Sequence, residues 1–296
     1  MRSIRRLLVG VAILALAACS REPGPPATPA GIAAATTIDF AHVANYAAPP
    51  LPAYFDETVA ALDNSPASNA ADDRVATLGR VLFHDMRLST NNRASCAGCH
   101  QQRFGFTDPM RFSNGISTAG TTDFHAMRLG NLRYWRPGTM FWDRRVVSAE
   151  VQASHPLHSL VEMGWGGNVG GIDALIRKMS ATDDYPALFA WAFDSPTITE
   201  PRMQQALAQF VRAMVSHDSR WDAGYAQVFS PTAPNRALDV DLANFTAEEN
   251  RGRHLFMTDV RQGGAGCAAC HRPPTFALAA DARSNGLDAG ETRLFK

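Results

Sequence analysis

The sequence contains one five-residue pattern twice, as Cys96-Ala-Gly-Cys99-His100 and as Cys267-Ala-Ala-Cys270-His271. Only five cysteines and nine histidines occur in 296 residues, so two chance copies are improbable. A Cys-x-x-Cys pair followed at once by His is the attachment pattern of c-type haem. Two sulfurs reach the vinyl groups on one porphyrin edge as thioethers, and the next imidazole reaches the iron. Two other chemistries use the same residue types. A zinc knuckle pairs two Cys-x-x-Cys units but does not need His directly after each. A redox dithiol needs one unit beside a βαβ pattern, and none is visible. The motifs therefore predict two covalent c-type haems on Cys96, Cys99, Cys267 and Cys270, with His100 and His271 as iron ligands.

The fifth cysteine has a different context. Arg2, Arg5 and Arg6 precede the apolar run Leu7 to Ala18, which is too short to span a bilayer comfortably and reads as a secretory signal over 1–18. Leu16-Ala17-Ala18-Cys19 resembles a bacterial lipobox, which makes Cys19 a lipid anchor. Ala15-Leu16-Ala17 also fits an ordinary cleavage site. Residues 19–36, with four prolines and many alanines, read as a tether. These features predict an exported protein in the periplasm that meets a membrane only through its anchor. No disulfide is required, because the haems consume the remaining thiols.

The elements that must position the two motifs are helical. Ile172, Leu175, Ile176 and Met179 form one stripe, and Leu207, Phe210, Val211 and Met214 form another after Thr199 and Pro201. Thr246-Ala-Glu-Glu249 is a capping box that opens a helix through Phe256. Val75, Leu78 and Leu82 mark a further helix ahead of the first motif. Strand signals are weak, and Asn114-Gly115 sits in a loop-like stretch. LGRVLF at 78–83 before the first motif and RGRHLF at 251–256 before the second form a weak internal repeat. The expected fold is mainly α: two cytochrome-c-like haem domains with long loops, over 37–197 and 198–296. With 46% apolar residues the chain can build packed cores. Its 28 basic and 28 acidic residues, without a Lys/Arg run, argue against nucleic-acid binding.

Several further segments, in order, resemble the bacterial di-haem cytochrome c peroxidase family, which includes the MauG-type methylamine-utilisation enzymes. They are Leu78–Phe83, Arg87-Leu-Ser89, the first motif, Gly105-Phe-Thr-Asp108, Phe141-Trp-Asp143, Pro156 and Val161-Glu-Met-Gly164. Ala206–Arg212, Ser219-Arg-Trp-Asp222, Gly252–Phe256 and the second motif follow, so the resemblance spans roughly 70–296. It implies that the first haem is the peroxide site and that Glu162 is its acid/base, moving a proton from the inner to the outer peroxide oxygen. It places Trp142 between the haems as a charge mediator, a role that core packing of the indole also accommodates. Arg144 and Arg145 are candidates for haem propionates or for a solvated turn.

The resemblance further implies electron entry through the second haem from a small c-type cytochrome or cupredoxin. It also implies a calcium ion between the domains, which maps to no residue here, and it allows a homodimer. The family's sixth ligand to the second haem, Met or Tyr, has no counterpart in the 25 residues after His271, and Met257 lies before the motif. The second domain is therefore expected to be C-terminally incomplete. His125 is the nearest candidate for a distal ligand after His100, with a loop histidine as the preferred reading. The implied activity is reduction of hydrogen peroxide to water. A MauG-like oxidase of a protein or small molecule and a non-enzymatic electron-transfer cytochrome are the alternatives.

Overall fold

The computed structural model describes residues 36–116 and 120–279. The signal, Cys19, the tether up to residue 35 and the chain end from 280 lie outside the described residues. Those described form nine α-helices joined by long loops and 3-10 turns. The helices are α1 (Glu57–Ala60), α2 (Asp73–His84), α3 (Cys96–Cys99), α4 (Ala149–His158), α5 (Gly171–Ser180), α6 (Asp184–Phe193), α7 (Glu200–Arg212), α8 (Arg220–Val228) and α9 (Ala247–Met257). Among the described residues, strand is limited to a hairpin of β1 (His271–Arg272) against β2 (Ala277–Leu278) and to isolated bridges. The molecule is mainly helical, as its periodicity predicts.

Helix α2 begins where the Asp72 side chain accepts from the Arg74 and Val75 amides, and it buries Val75, Leu78, Leu82 and Phe83. Helix α7 begins where Thr199 accepts from the Arg202 amide, and it buries Met203, Ala206, Leu207, Phe210 and Val211. The two helices meet backbone to backbone. A Cβ added at Gly79 would lie 1.9 Å from the Ala206 carbonyl oxygen, so only glycine allows this approach. Gly79→Ala is accordingly expected to cost about 1–3 kcal/mol by overpacking, read as a lower urea midpoint at unchanged slope.

The stripe on α5 is seated through Leu175 and Met179, and the Thr246/Glu249 capping box opens α9. Helices α4 and α6 carry no readable stripe. Pro156 interrupts the pattern of α4, and α6 is apolar nearly all round, with Tyr185, Leu188, Phe189, Trp191 and Ala192 buried. Helix α8 opens on a capping box made by Ser219 and Asp222.

Two clusters matter for the motifs. The larger joins α2, α5, α6 and α7 with Trp165 and packs against Cys96. The smaller centres on Tyr54, Tyr225 and Leu242, with Trp221 and Phe229 against it. Helix α7 fills the groove of α2 and so lies in the first cluster, while Tyr54 crosses into the second.

Candidate functional site

The connector from α2 to the first motif is tied down at nearly every residue. Asp85 pairs with Arg87 at 2.7 Å and accepts the Tyr185 hydroxyl at 2.6 Å, while Arg87 also pairs with Asp184 at 2.7 Å. Lys178 Nζ donates to the carbonyls of Arg87 and Ser89. Ser89 Oγ accepts from the Arg93 and Ala94 amides. Burial pulls the Asp85 carboxyl up, but hydrogen bonds from Arg87 and Tyr185 outweigh it and hold the group below the ordinary range. That stabilisation is present above the ordinary carboxylate range and is lost as pH falls through the lowered value.

The single turn α3 puts Cys96 and Cys99 on one side, three residues apart, and both thiols are free. His100 follows as its C-cap, with its amide donating to the Cys96 carbonyl at 2.8 Å. The imidazole Nδ1 lies 2.9 Å from the Phe106 carbonyl. A carbonyl only accepts, so Nδ1 carries the proton and Nε2 is the nitrogen left for a metal. Burial lowers the His100 pKa and keeps the ring neutral, against the carbonyls of Phe106 and Met127. Burial pushes the Cys96 thiol up to about 12, helped by Cys99 and Glu162. Two free thiols one turn apart, beside a neutral imidazole of fixed tautomer, are the donor set a c-type haem requires.

The second motif is built on the same plan but is more open. Cys267–Ala269 form a 3-10 turn, Cys270 and His271 are exposed, and the Cys270 carbonyl accepts from Ala279 at 2.7 Å. The internal repeat is visible in the rings. Phe83 lies 6.5 Å from His100 at 41°, and Phe256 lies 6.5 Å from His271 at 43°. Among the described residues no three His, Cys, Asp or Glu gather as one metal cluster. The two cysteine pairs therefore do not combine into a zinc centre.

Glu162 sits on the turn after α4, and its neighbours fix it from both sides. The Val161 carbonyl accepts from Ile116 at 2.8 Å and the Met163 carbonyl from Thr90 at 3.0 Å. The Glu162 amide donates to Ser159 Oγ at 3.2 Å. Gly164 has φ +88°, and a Cβ there would lie 2.4 Å from both Ile116 and Thr90. The turn thus needs glycine both for its left-handed backbone and for space. Within the described residues nothing hydrogen-bonds the carboxyl. Burial raises its pKa, opposed by the positive charge of Arg145. Its charge is felt at both Cys96 and Cys99, so the structure brings Glu162 to the first motif.

Trp142 reaches the same motif from another direction. Its indole donates to the His125 carbonyl at 2.9 Å, two residues before the Met127 carbonyl that acts on His100. Both nitrogens of His125 are engaged within the loop, by Thr107 Oγ1 at 2.9 Å and by the carbonyls of Met110 and Arg111. It is a loop histidine here. Arg145 pairs with Asp143 at 2.7 Å and lies 4.0 Å over the Phe141 ring, and Arg144 lies over Trp135.

Asn131 was not singled out by the sequence. It adopts φ +63°, its side chain donates to the Thr275 carbonyl at 3.0 Å, and it accepts from the Ser216 amide at 2.8 Å. Segment 125–131 therefore touches Trp142, His100 and the loop just after the second motif. The Gly130-Asn131 pair, both suited to left-handed turns, is the signal that could have found it.

The profile of the family described as di-haem cytochrome c peroxidase matches residues 73–228. Methylamine utilization protein MauG of Methylophilus methylotrophus is 30% identical over 218 residues, which is 70% of this chain and 55% of that protein. Cytochrome c551 peroxidase of Nitrosomonas europaea is 27% identical over 206 residues, 68% of this chain and 52% of that protein. A solved MauG-like protein associated with microbial copper homeostasis superposes with a TM-score of 0.59 at 28% identity, covering 81% of this chain and 62% of its own. The chain spans about half the length of the curated relatives it matches.

Proposed function

Because this chain belongs to the di-haem cytochrome c peroxidase family, we propose that it is an exported bacterial oxidoreductase that reduces hydrogen peroxide to water at its first motif. Electrons enter from a small c-type cytochrome or cupredoxin through the second motif, and Cys19 anchors the chain to a membrane. Cys96, Cys99 and His100 would hold one haem, and Cys267, Cys270 and His271 the other. When bound, the haems supply the iron redox chemistry that O–O cleavage and electron storage need.

The protein supplies the proton chemistry. The observation that carries the reading is a half-buried carboxyl, Glu162, with no hydrogen-bond partner among the described residues, held at the first motif with its pKa raised by burial. A carboxyl in that state can accept a proton from the inner peroxide oxygen and return it to the outer one, so that water rather than hydroxide departs. The positive charge of Arg145 opposes the effect of burial on Glu162. Trp142 is the charge mediator, because its indole is bonded to the segment that also contacts His100 and the second motif's loop.

A second reading, oxidation of a protein or small-molecule substrate, is favoured by the likeness to MauG at 30% identity. The deciding experiment mixes the haem-loaded full chain with peroxide in the oxidised and half-reduced states and follows peroxide loss against oxidation of a reduced c-type cytochrome. Stoichiometric donor oxidation supports the peroxidase. Peroxide loss without donor oxidation favours the second reading, and no peroxide loss overturns both.

A further inference from the structure

We propose that Tyr54 is a redox-active tyrosine that passes an electron through Tyr225 and Trp221 towards the second haem-attachment motif and its phenolic proton to Asp222. The inference rests on the peroxidase reading for its physiological oxidant, hydrogen peroxide, but not for its geometry.

The rings form a continuous series. His271 lies 6.5 Å from Phe256, Phe256 lies 5.9 Å from Phe276, and Phe276 lies 4.9 Å from Trp221. Trp221 stacks on Tyr225 at 4.7 Å, and Tyr225 is 5.1 Å from Tyr54. Trp and Tyr are the oxidisable members, and Trp221 and Tyr225 make the closest contact of the series. Tyr54 is 0% exposed and Tyr225 is 1% exposed, so a radical on Tyr54 is shielded from solvent.

The proton has a defined acceptor. The Tyr54 hydroxyl donates to Asp222 Oδ1 at 2.8 Å, while Asp222 Oδ2 is taken by Ser219. Burial, with the Asp222 carboxylate beside it, pushes the Tyr54 phenol well above its ordinary range. The hydroxyl therefore does not ionise alone, and its proton leaves only together with an electron. Asp222 also borders a cavity of about 690 Å³, shared with Arg80, Arg128, Asn131 and Phe276, through which the proton can exchange.

The step balances. Hydrogen peroxide takes two electrons, and two protons from solvent, to give two waters. When the donor protein has supplied one electron, Tyr54 supplies the other: its O–H bond breaks, the proton moves to Asp222 Oδ1, and the electron leaves along the stack. A later donor electron restores the phenol with the proton returned by Asp222. The device keeps a peroxide turnover from leaving its oxidising equivalent on an unprotected residue.

The test adds one equivalent of hydrogen peroxide to the half-reduced, haem-loaded full chain carrying ring-deuterated tyrosine, then freezes it for electron paramagnetic resonance. A tyrosyl signal that is lost in Tyr54→Phe and weakened in Trp221→Phe is expected. Peroxide loss with no tyrosyl signal, or with a signal unchanged in Tyr54→Phe, overturns the proposal and leaves the peroxidase reading intact. A second arm needs no peroxide: a flash-generated ruthenium(III) tris-bipyridine oxidant is applied to the same proteins. A phenoxyl transient that disappears in Tyr54→Phe supports the proposal even if peroxide is not consumed, and a transient equal in both proteins overturns it.

Discussion

Replacing Glu162 by glutamine is expected to slow peroxide reduction by about 10²- to 10⁴-fold while leaving the fold at least as stable as before. The amide keeps the size of the side chain and cannot carry the proton. The direction of the stability change follows from the raised pKa of Glu162, whose main cause is burial. The folded protein holds this proton at a pH where the unfolded chain has released it. Stability therefore falls as pH rises from the ordinary carboxylate range through the raised value, and the cost is fully present above it. Glutamine removes that cost. Stopped-flow peroxide turnover and urea midpoints measured across pH check the two halves separately. A variant that loses stability along with activity would mark Glu162 as a structural residue instead.

Arg212→Met is expected to cost about 3–5 kcal/mol, the typical penalty for breaking a buried ion pair by removing one partner. Arg212 is 5% exposed and holds both oxygens of Glu150 on α4, at 2.5 and 3.0 Å. Its Nε also donates to Asn64 at 2.8 Å. Asn64 in turn holds the carbonyls of Leu132 and Trp135, and Gln209 and Asn69 complete the network between α7 and the 64–72 segment. Burial pulls the Glu150 carboxyl up, but Arg212 and Asn69 outweigh it and hold the group below its ordinary range. In the variant burial is opposed only by Asn69 and the backbone amide of Glu150, so the carboxyl moves up. The loss is then largest at neutral pH and shrinks on acidification, because a protonated Glu150 no longer needs its partner. Denaturant titrations at neutral and acidic pH measure both effects. Adding Glu150→Gln recovers part of the loss if the stranded charge is the cause.

The contrast between these two residues shows what was legible. Glu162 is legible as a candidate because it stands in a motif, Val161–Gly164, whose neighbours in the chain also carry meaning. Arg212 lay inside a recognised segment, but its partner is 62 residues away, and no local pattern announces a buried pair. The same holds for the helices. Stripes and caps disclosed α2, α5, α7 and α9, because one wet face and one dry face leave a period of 3.6. Helix α6 has no wet face to mark a period, and α4 owes its shape to α7 rather than to its own pattern. Asn131 was missed for the reason Arg212 was: its work is done by side-chain bonds to Thr275 and Ser216, both distant in sequence.

The bonds of Asn131 also bear on timing. Its amide donates to the Met214 carbonyl just beyond α7, and its side chain bonds Ser216 and Thr275. One short peptide, residues 125–131, therefore ties the loop after the second motif to the segment that contacts His100. Transfer across a gap set this way does not wait for a hinge to close, unlike enzymes in which domain motion on the microsecond to millisecond scale limits the rate. Charge exchange between the centres is thus expected to follow a single exponential whose rate is unchanged when glycerol raises the solvent viscosity. A protein built this way is expected to act as a fixed junction, its throughput limited by the arrival of reactants rather than by its own movement.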